Sequence, residues 1–195
     1  MNQEKRKVII ITDGDEVAKD TIEKVAKKVG GCCISASAGN PTPISGEEIV
    51  ALIKEARSDP VLVMVDDKGC CSKGKGEEAL EYIAKSKEVK LIGVLAVASN
   101  TMFSQGVSIE HAITMNGQMI HGPVNKDGKP EKKGHHVLEG DTVGVLNELK
   151  NEIPMIIGIG DIGKMHGHDH GARGGKITTQ AIKHLLKKDG ESGDS

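Results

Sequence analysis

The sequence predicts a doubly wound α/β fold: a mainly parallel sheet of about five strands, helices on both faces and an inserted β-hairpin. Three observations carry this. Apolar runs at residues 8–11, 61–65, 91–98 and 155–159 show no polar alternation, as expected of strands buried on both faces. Segments with apolar residues at helical spacing lie between them. Strand and helix alternate, and right-handed crossovers then place helices on both sides of the sheet.

Residues 8–11 read as the first strand, followed by Thr12-Asp13-Gly14-Asp15. The next helix carries Ala18, Ile22, Val25, Ala26 and Val29 on one face, with Asp13 or Asp15 as its cap and Gly30-Gly31 as its stop. Residues 32–37 form a short strand of small side chains, and 39–43 are loop by composition. Ser45 with Glu48 three residues later has capping-box form and opens a helix with Ile49, Leu52, Ile53 and Ala56 inward. The strand at 61–65 delivers Asp66 and Asp67 into a glycine- and lysine-rich loop at 69–76. A helix at 77–86 follows, with Leu80, Ile83 and Ala84 inward, and then the strand at 91–98.

The rhythm changes over 99–140, which is polar and irregular. Asn116-Gly117 between apolar triplets signals a hairpin, and Asp127-Gly128 a second turn, so the segment reads as an antiparallel insertion. Asp141 is placed to cap a helix with Val145, Leu146 and Leu149 inward. Pro154 leads into the fifth strand, which ends near Asp161. A last helix at 177–187 turns Ala181, Ile182, Leu185 and Leu186 inward. Residues 1–188 read as one α/β domain and 189–195 as a polar, disordered tail.

The 195 residues include one Tyr, one Phe and no Trp, so the core must be aliphatic, and base stacking on aromatic platforms is disfavoured. A formal net charge of -2 gives no basic field to draw nucleic acid or anionic lipid. The longest apolar run, 91–98, is far short of a membrane span, and the first residues carry no export signal; a soluble protein made in the cytoplasm is expected. The cysteines form two adjacent pairs, Cys32-Cys33 and Cys70-Cys71, without C-x-x-C spacing. Strand geometry separates the pairs by about 17–20 Å, so reduced thiols rather than a four-cysteine zinc site are expected.

Three strands end in acids: Asp13 and Asp15, Asp66 and Asp67, and Asp161. Parallel strands bring such ends to one edge, where carboxylates could hold Mg²⁺ or Ca²⁺, or could simply cap the helices that follow. Gly69, Gly74 and Lys75 come within one residue of a phosphate-binding loop, but Gly76 stands where that motif needs a hydroxyl for Mg²⁺. A turn between strand and helix explains the same residues. His166, His168 and His170 alternate just past the fifth strand, with Asp169 as a potential supporting carboxylate and His135-His136 as further candidates. The glycines around them fit a solvated loop equally well. G-x-S-x-G is absent, and nothing argues for a nucleophilic site.

The blocks IITDGD, GNPTPISGEE, VLVMVDDKG, GKGEEAL, GVLAVASNT and GIGDIGKMHGHDH together resemble the stage V sporulation protein AE family of spore-forming Firmicutes, over nearly the whole chain. The resemblance implies a soluble, non-enzymatic accessory encoded with the membrane proteins that move calcium dipicolinate into the forespore and out during germination. It implies other stage V sporulation membrane-complex proteins as partners, a place at the periphery of the spore inner membrane and no assigned catalytic residues. A more distant similarity is to the Toprim fold, a Rossmann-like α/β fold with a Glu after its first strand and D-x-D after its third. Asp13 and Asp15 stand at the first of these positions here and Asp66-Asp67-Lys68 at the second. That similarity implies the alternative of Mg²⁺-dependent phosphoryl transfer or phosphoester hydrolysis.

Overall fold

In the computed structural model, which describes residues 4–67, 73–99, 106–132 and 134–193, the apolar runs pair as the alternation requires. The strands are β1 (Lys7–Ile11), β2 (Cys32–Ile34), β3 (Val61–Met64), β4 (Lys90–Val97), β5 (Val107–Ser108), β6 (His111–Ile113), β7 (Met119–His121), β8 (Val137–Leu138) and β9 (Ile156–Ile159). The α-helices are α1 (Glu16–Lys28), α2 (Gly46–Glu55), α3 (Lys75–Lys85) and α4 (Lys176–Gly193). Among the described residues the main sheet has seven strands in the order β2-β3-β1-β4-β9-β6-β7. All are parallel to their neighbours except β7, which pairs antiparallel with β6.

The continuous apolar runs are explained by side chains pointing alternately into two cores. Val8, Ile10, Val61, Val63, Val94 and Ala96 pack against Ile49 and Ile53 of α2 and Leu80 and Ile83 of α3. Ile9, Ile11, Leu62, Met64, Leu95 and Val97 pack against Ile22 and Val25 of α1 and Ile182 and Leu185 of α4. The capping box of α2 forms: the Glu48 N–H donates to Ser45 Oγ at 3.2 Å, and the Ser45 N–H donates to Glu48 Oε2 at 2.8 Å.

Four sequence expectations need correction. The five expected strands and the expected hairpin are all present, but the inserted hairpin does not stand apart from the sheet: β6 pairs parallel with β9 and so extends it to seven strands. Its loop is a turn closed by the Gly117 N–H donating to the Thr114 carbonyl, with Gly117 at φ +80°. The Asp127-Gly128 turn repeats this motif, Gly128 donating to the Asn125 carbonyl with φ +72°. The helix expected after Asp141 is only a 3-10 turn, Gly144–Asn147. Gly144 and the β-branched Thr142, Val143 and Val145 weaken an α-helix there, although Val145, Leu146 and Leu149 are buried as expected. Leu52 is exposed rather than inward, because α2 meets the sheet through Ile49, Val50 and Ile53 and Leu52 falls outside that stripe. Finally, α4 runs on past residue 188. Asp189, its side chain 8% exposed, receives Lys7 Nζ at 2.8 Å and Lys90 Nζ at 2.6 Å, which ties the helix to β1 and β4.

Ending the chain after Lys188 is accordingly expected to lower the unfolding free energy by about 1–2 kcal/mol, since Lys7 and Lys90 would lose the Asp189 carboxylate that they share. Urea denaturation measures this; a disordered tail would give no change.

Candidate functional site

The chain leaves β1 toward β2 but reaches β4 on the other side of β1. The carboxyl ends of β1 and β4 therefore flank a switch point, the place where open α/β sheets form a crevice. Thr12 holds this seam together: the Val97 N–H donates to its hydroxyl at 2.9 Å, beside the Thr12 N–H bond to the Leu95 carbonyl at 3.1 Å. Beyond it lies a cavity of about 170 Å³ lined by Asp13, Asp15, Asp66, Asp141, Asp161 and Lys164.

Four of these carboxylates are constrained in different ways. Asp15 caps α1, its Oδ1 accepting from the Ala18 N–H at 2.7 Å. Asp66 accepts from the N–H groups of Asp67 at 2.9 Å and Gly14 at 3.2 Å. Burial outweighs those bonds and pushes the Asp66 carboxyl up to about 7. Among the described residues Asp13 accepts only a long bond, 3.3 Å, from the Asp15 N–H. Burial first, then the charges of Asp15 and Asp66, raise its pKa well above the ordinary carboxylate range. Burial likewise raises Asp161. Among the described residues Lys164 is the cation lining the cleft, with Nζ 3.1 Å from Asp161 and 3.3 Å from Asp15. Burial acts to lower its pKa, and the contacts with those two acids outweigh it.

Asp67, grouped with these acids on sequence grounds, does not join them. Its carboxylate accepts from the N–H groups of Gly76 and Glu77, both at 2.9 Å, and so occupies the N-terminus of α3. A phosphate bound in P-loop fashion would need those same donors. The glycines make room for the carboxylate. A Cβ at Gly74 would collide with Asp67, and one at Gly76 would lie 2.5 Å from the Asp66 carbonyl oxygen. Lys75 is exposed in the first turn of α3, facing α2 rather than the cleft. Gly69, Cys70 and Cys71 lie outside the described residues. Cys32 and Cys33 are free thiols.

His166, His168 and His170 are all exposed and do not converge; His170 Nδ1 accepts from the Ala172 N–H at 3.1 Å. Asp169 supports none of them. Fully buried, it accepts from the N–H groups of Ile177 at 2.9 Å and Thr178 at 3.1 Å and from the Thr178 hydroxyl at 2.7 Å, tying the loop to the start of α4. Among the described residues no three His, Cys, Asp or Glu side chains are arranged to hold one metal ion. The strand-end acids Asp13, Asp15, Asp66 and Asp161 are thus brought to one cleft. Asp141, Lys164 and Thr12 complete it without any local signal in the sequence, apart from their places just after strands or in a glycine-rich loop.

A family model described as Stage V sporulation protein AE1 matches residues 7–189. No curated protein and no solved structure matches the chain.

Two outcomes test this geometry. Between the ordinary carboxylate value near 4 and the raised native values, the folded protein holds protons that the unfolded chain has released, so these groups make stability fall as pH rises. Asp13→Asn keeps the bond from Asp15 and removes the buried charge. Its melting temperature relative to the parent should therefore be higher at pH 8 than at pH 5, by calorimetry. Asp67→Asn should cost about 1–3 kcal/mol, because its NH₂ would face a backbone donor. Asp15→Asn, which uses one acceptor oxygen as a cap, should cost less than about 1 kcal/mol. Equal costs in denaturant titrations would contradict the assigned roles.

Proposed function

The chain belongs to the Stage V sporulation protein AE1 family, and from that premise we propose that it is a non-enzymatic accessory of a spore membrane complex, serving calcium dipicolinate movement and germination. That it is a sporulation protein follows from the family itself. The match spans residues 7–189 and so takes in both cores, the acidic cleft and all four α-helices up to the last turn of α4. This observation carries the reading.

Two features of the chain support the finer statement. No helix among the described residues is long and apolar enough to cross a membrane. A net charge of -2 supplies no general attraction to anionic lipid, so attachment falls to protein partners of the complex at the spore inner-membrane periphery. The strand-end acids support an accessory role rather than phosphoryl transfer, because Asp15 and Asp67 are engaged as helix caps and Asp66 by two backbone donors.

The test is fractionation. The protein should sediment with spore membranes when the other complex members are present and stay in the supernatant when they are deleted. Binding of the purified protein to plain lipid vesicles at physiological salt, or normal dipicolinate uptake and germination in a deletion strain, would overturn the proposal.

A further inference from the structure

The chain has one tyrosine and no tryptophan, and it leaves that tyrosine on the surface. Tyr82, on α3, is 42% exposed. Its ring lies over Gly46 at the start of α2, where a Cβ would come 2.6 Å from Tyr82 Cβ. A groove of about 430 Å³ opens there, with Pro43, Ile44, Ala79 and Tyr82 as its apolar lining. Three carboxylates, Glu47, Glu48 and Glu78, edge it against one ammonium, Lys75. Glu47 and Glu78 are exposed and have no ion-pair partner among the described residues. Leu52, another of the exposed large apolar side chains, is also carried by α2.

We propose that this α2–α3 groove docks a Lys/Arg-rich amphipathic segment of an integral membrane partner, a proposal that rests on the accessory reading above. Charge complementarity chooses the occupant. A net negative rim around an apolar floor fits a segment with cations on its edges and aliphatic side chains at its centre. Segments of membrane proteins that face the cytoplasm carry an excess of Lys and Arg, so the chemistry the groove selects is the chemistry such a partner presents. Tyr82 supplies the anchor, since a partly exposed tyrosine offers large contact area at little entropic cost and its ring face attracts a cation.

Tyr82 is also the reporter. The full-length protein is titrated with a synthetic helical peptide of lysines and leucines that lacks aromatic residues, following tyrosine fluorescence. A saturable change is expected, with a Kd at least ten-fold weaker in Glu47→Lys/Glu78→Lys. An acidic peptide of the same spacing should bind that variant and not the parent. Glu16→Lys/Glu23→Lys, on α1 across the sheet, should bind the basic peptide as the parent does. Equal loss in both double variants, or binding that leaves Tyr82 unperturbed, would overturn the groove. So would self-association in sedimentation runs that Glu47→Lys/Glu78→Lys abolishes, since a second copy would then be the occupant. In spores, the parent should sediment with membranes and the folded Glu47→Lys/Glu78→Lys variant should not. If both sediment, the groove fails and the accessory role stands. If the parent does not sediment, the accessory role fails, and the peptide titration alone decides the groove.

Discussion

The N–H groups that open each helix at the carboxyl edge of the sheet have to find acceptors inside the fold, and short oxygen-bearing side chains supply them. Asp15 serves α1, Ser45 serves α2, Asp67 serves α3 and Asp169 serves α4. Burying a carboxylate is costly unless several donors converge on it. Asp67 and Asp169 meet that condition with two and four bonds. Much of the chain near them follows from this demand. Gly74 and Gly76 leave room for Asp67, and the turn from Gly163 to Gly175 folds around Asp169.

Parallel strands bring their carboxyl ends to one edge, so the acids that follow β1, β3 and β9 crowd together there, although of the cleft acids Asp15 is the one that caps a helix, while the caps Asp67 and Asp169 stand outside it. Burial first, and the neighbouring negative charges after it, raise the pKa values of Asp13, Asp66 and Asp161. Lys164 offsets part of that negative charge by bridging Asp15 and Asp161. Asp13 holds one long bond at 3.3 Å, and its pKa, like that of Asp66, is raised, so both contribute to the pH response of the cleft.

Much of this was legible in the sequence, for physical reasons that differ by element. Runs such as Val8 to Ile11 are apolar at every position because their side chains enter two cores, so their identity as buried strands needs no tertiary information. The Ser45–Glu48 box and the Asn116-Gly117 turn are local chemistry and form as read. Strand order is not local: that β6 would pair with β9 depends on contacts between segments more than forty residues apart in sequence. The same holds for Asp141 and Lys164, which reach the cleft only through the order of the strands. The glycine-rich run before α3 looked like a phosphate loop because both structures need close backbone approach to a negative oxygen. Here the oxygen belongs to Asp67 rather than to a ligand.

Aromatic poverty shapes the remaining surface. A core built from Val, Ile, Leu, Ala and Met fills both faces of the sheet, and the largest fully buried side chains are aliphatic or Met. The tyrosine could have been buried with its hydroxyl paired, as buried tyrosines usually are. It stands instead at the rim of the α2–α3 groove, beside glutamates without ion-pair partners among the described residues. Leu52 follows the same logic on α2: the stripe of Ile49, Val50 and Ile53 already covers the sheet, so Leu52 is left facing outward. Helical periodicity assigns both residues to a helix but cannot say which flank of the apolar stripe meets the sheet. That depends on how α2 and α3 lie against each other, with Gly46 under the Tyr82 ring. Helices α2 and α3 thus carry two of the three large apolar side chains exposed among the described residues, Leu52 and Tyr82, and the docking proposed above would use the latter.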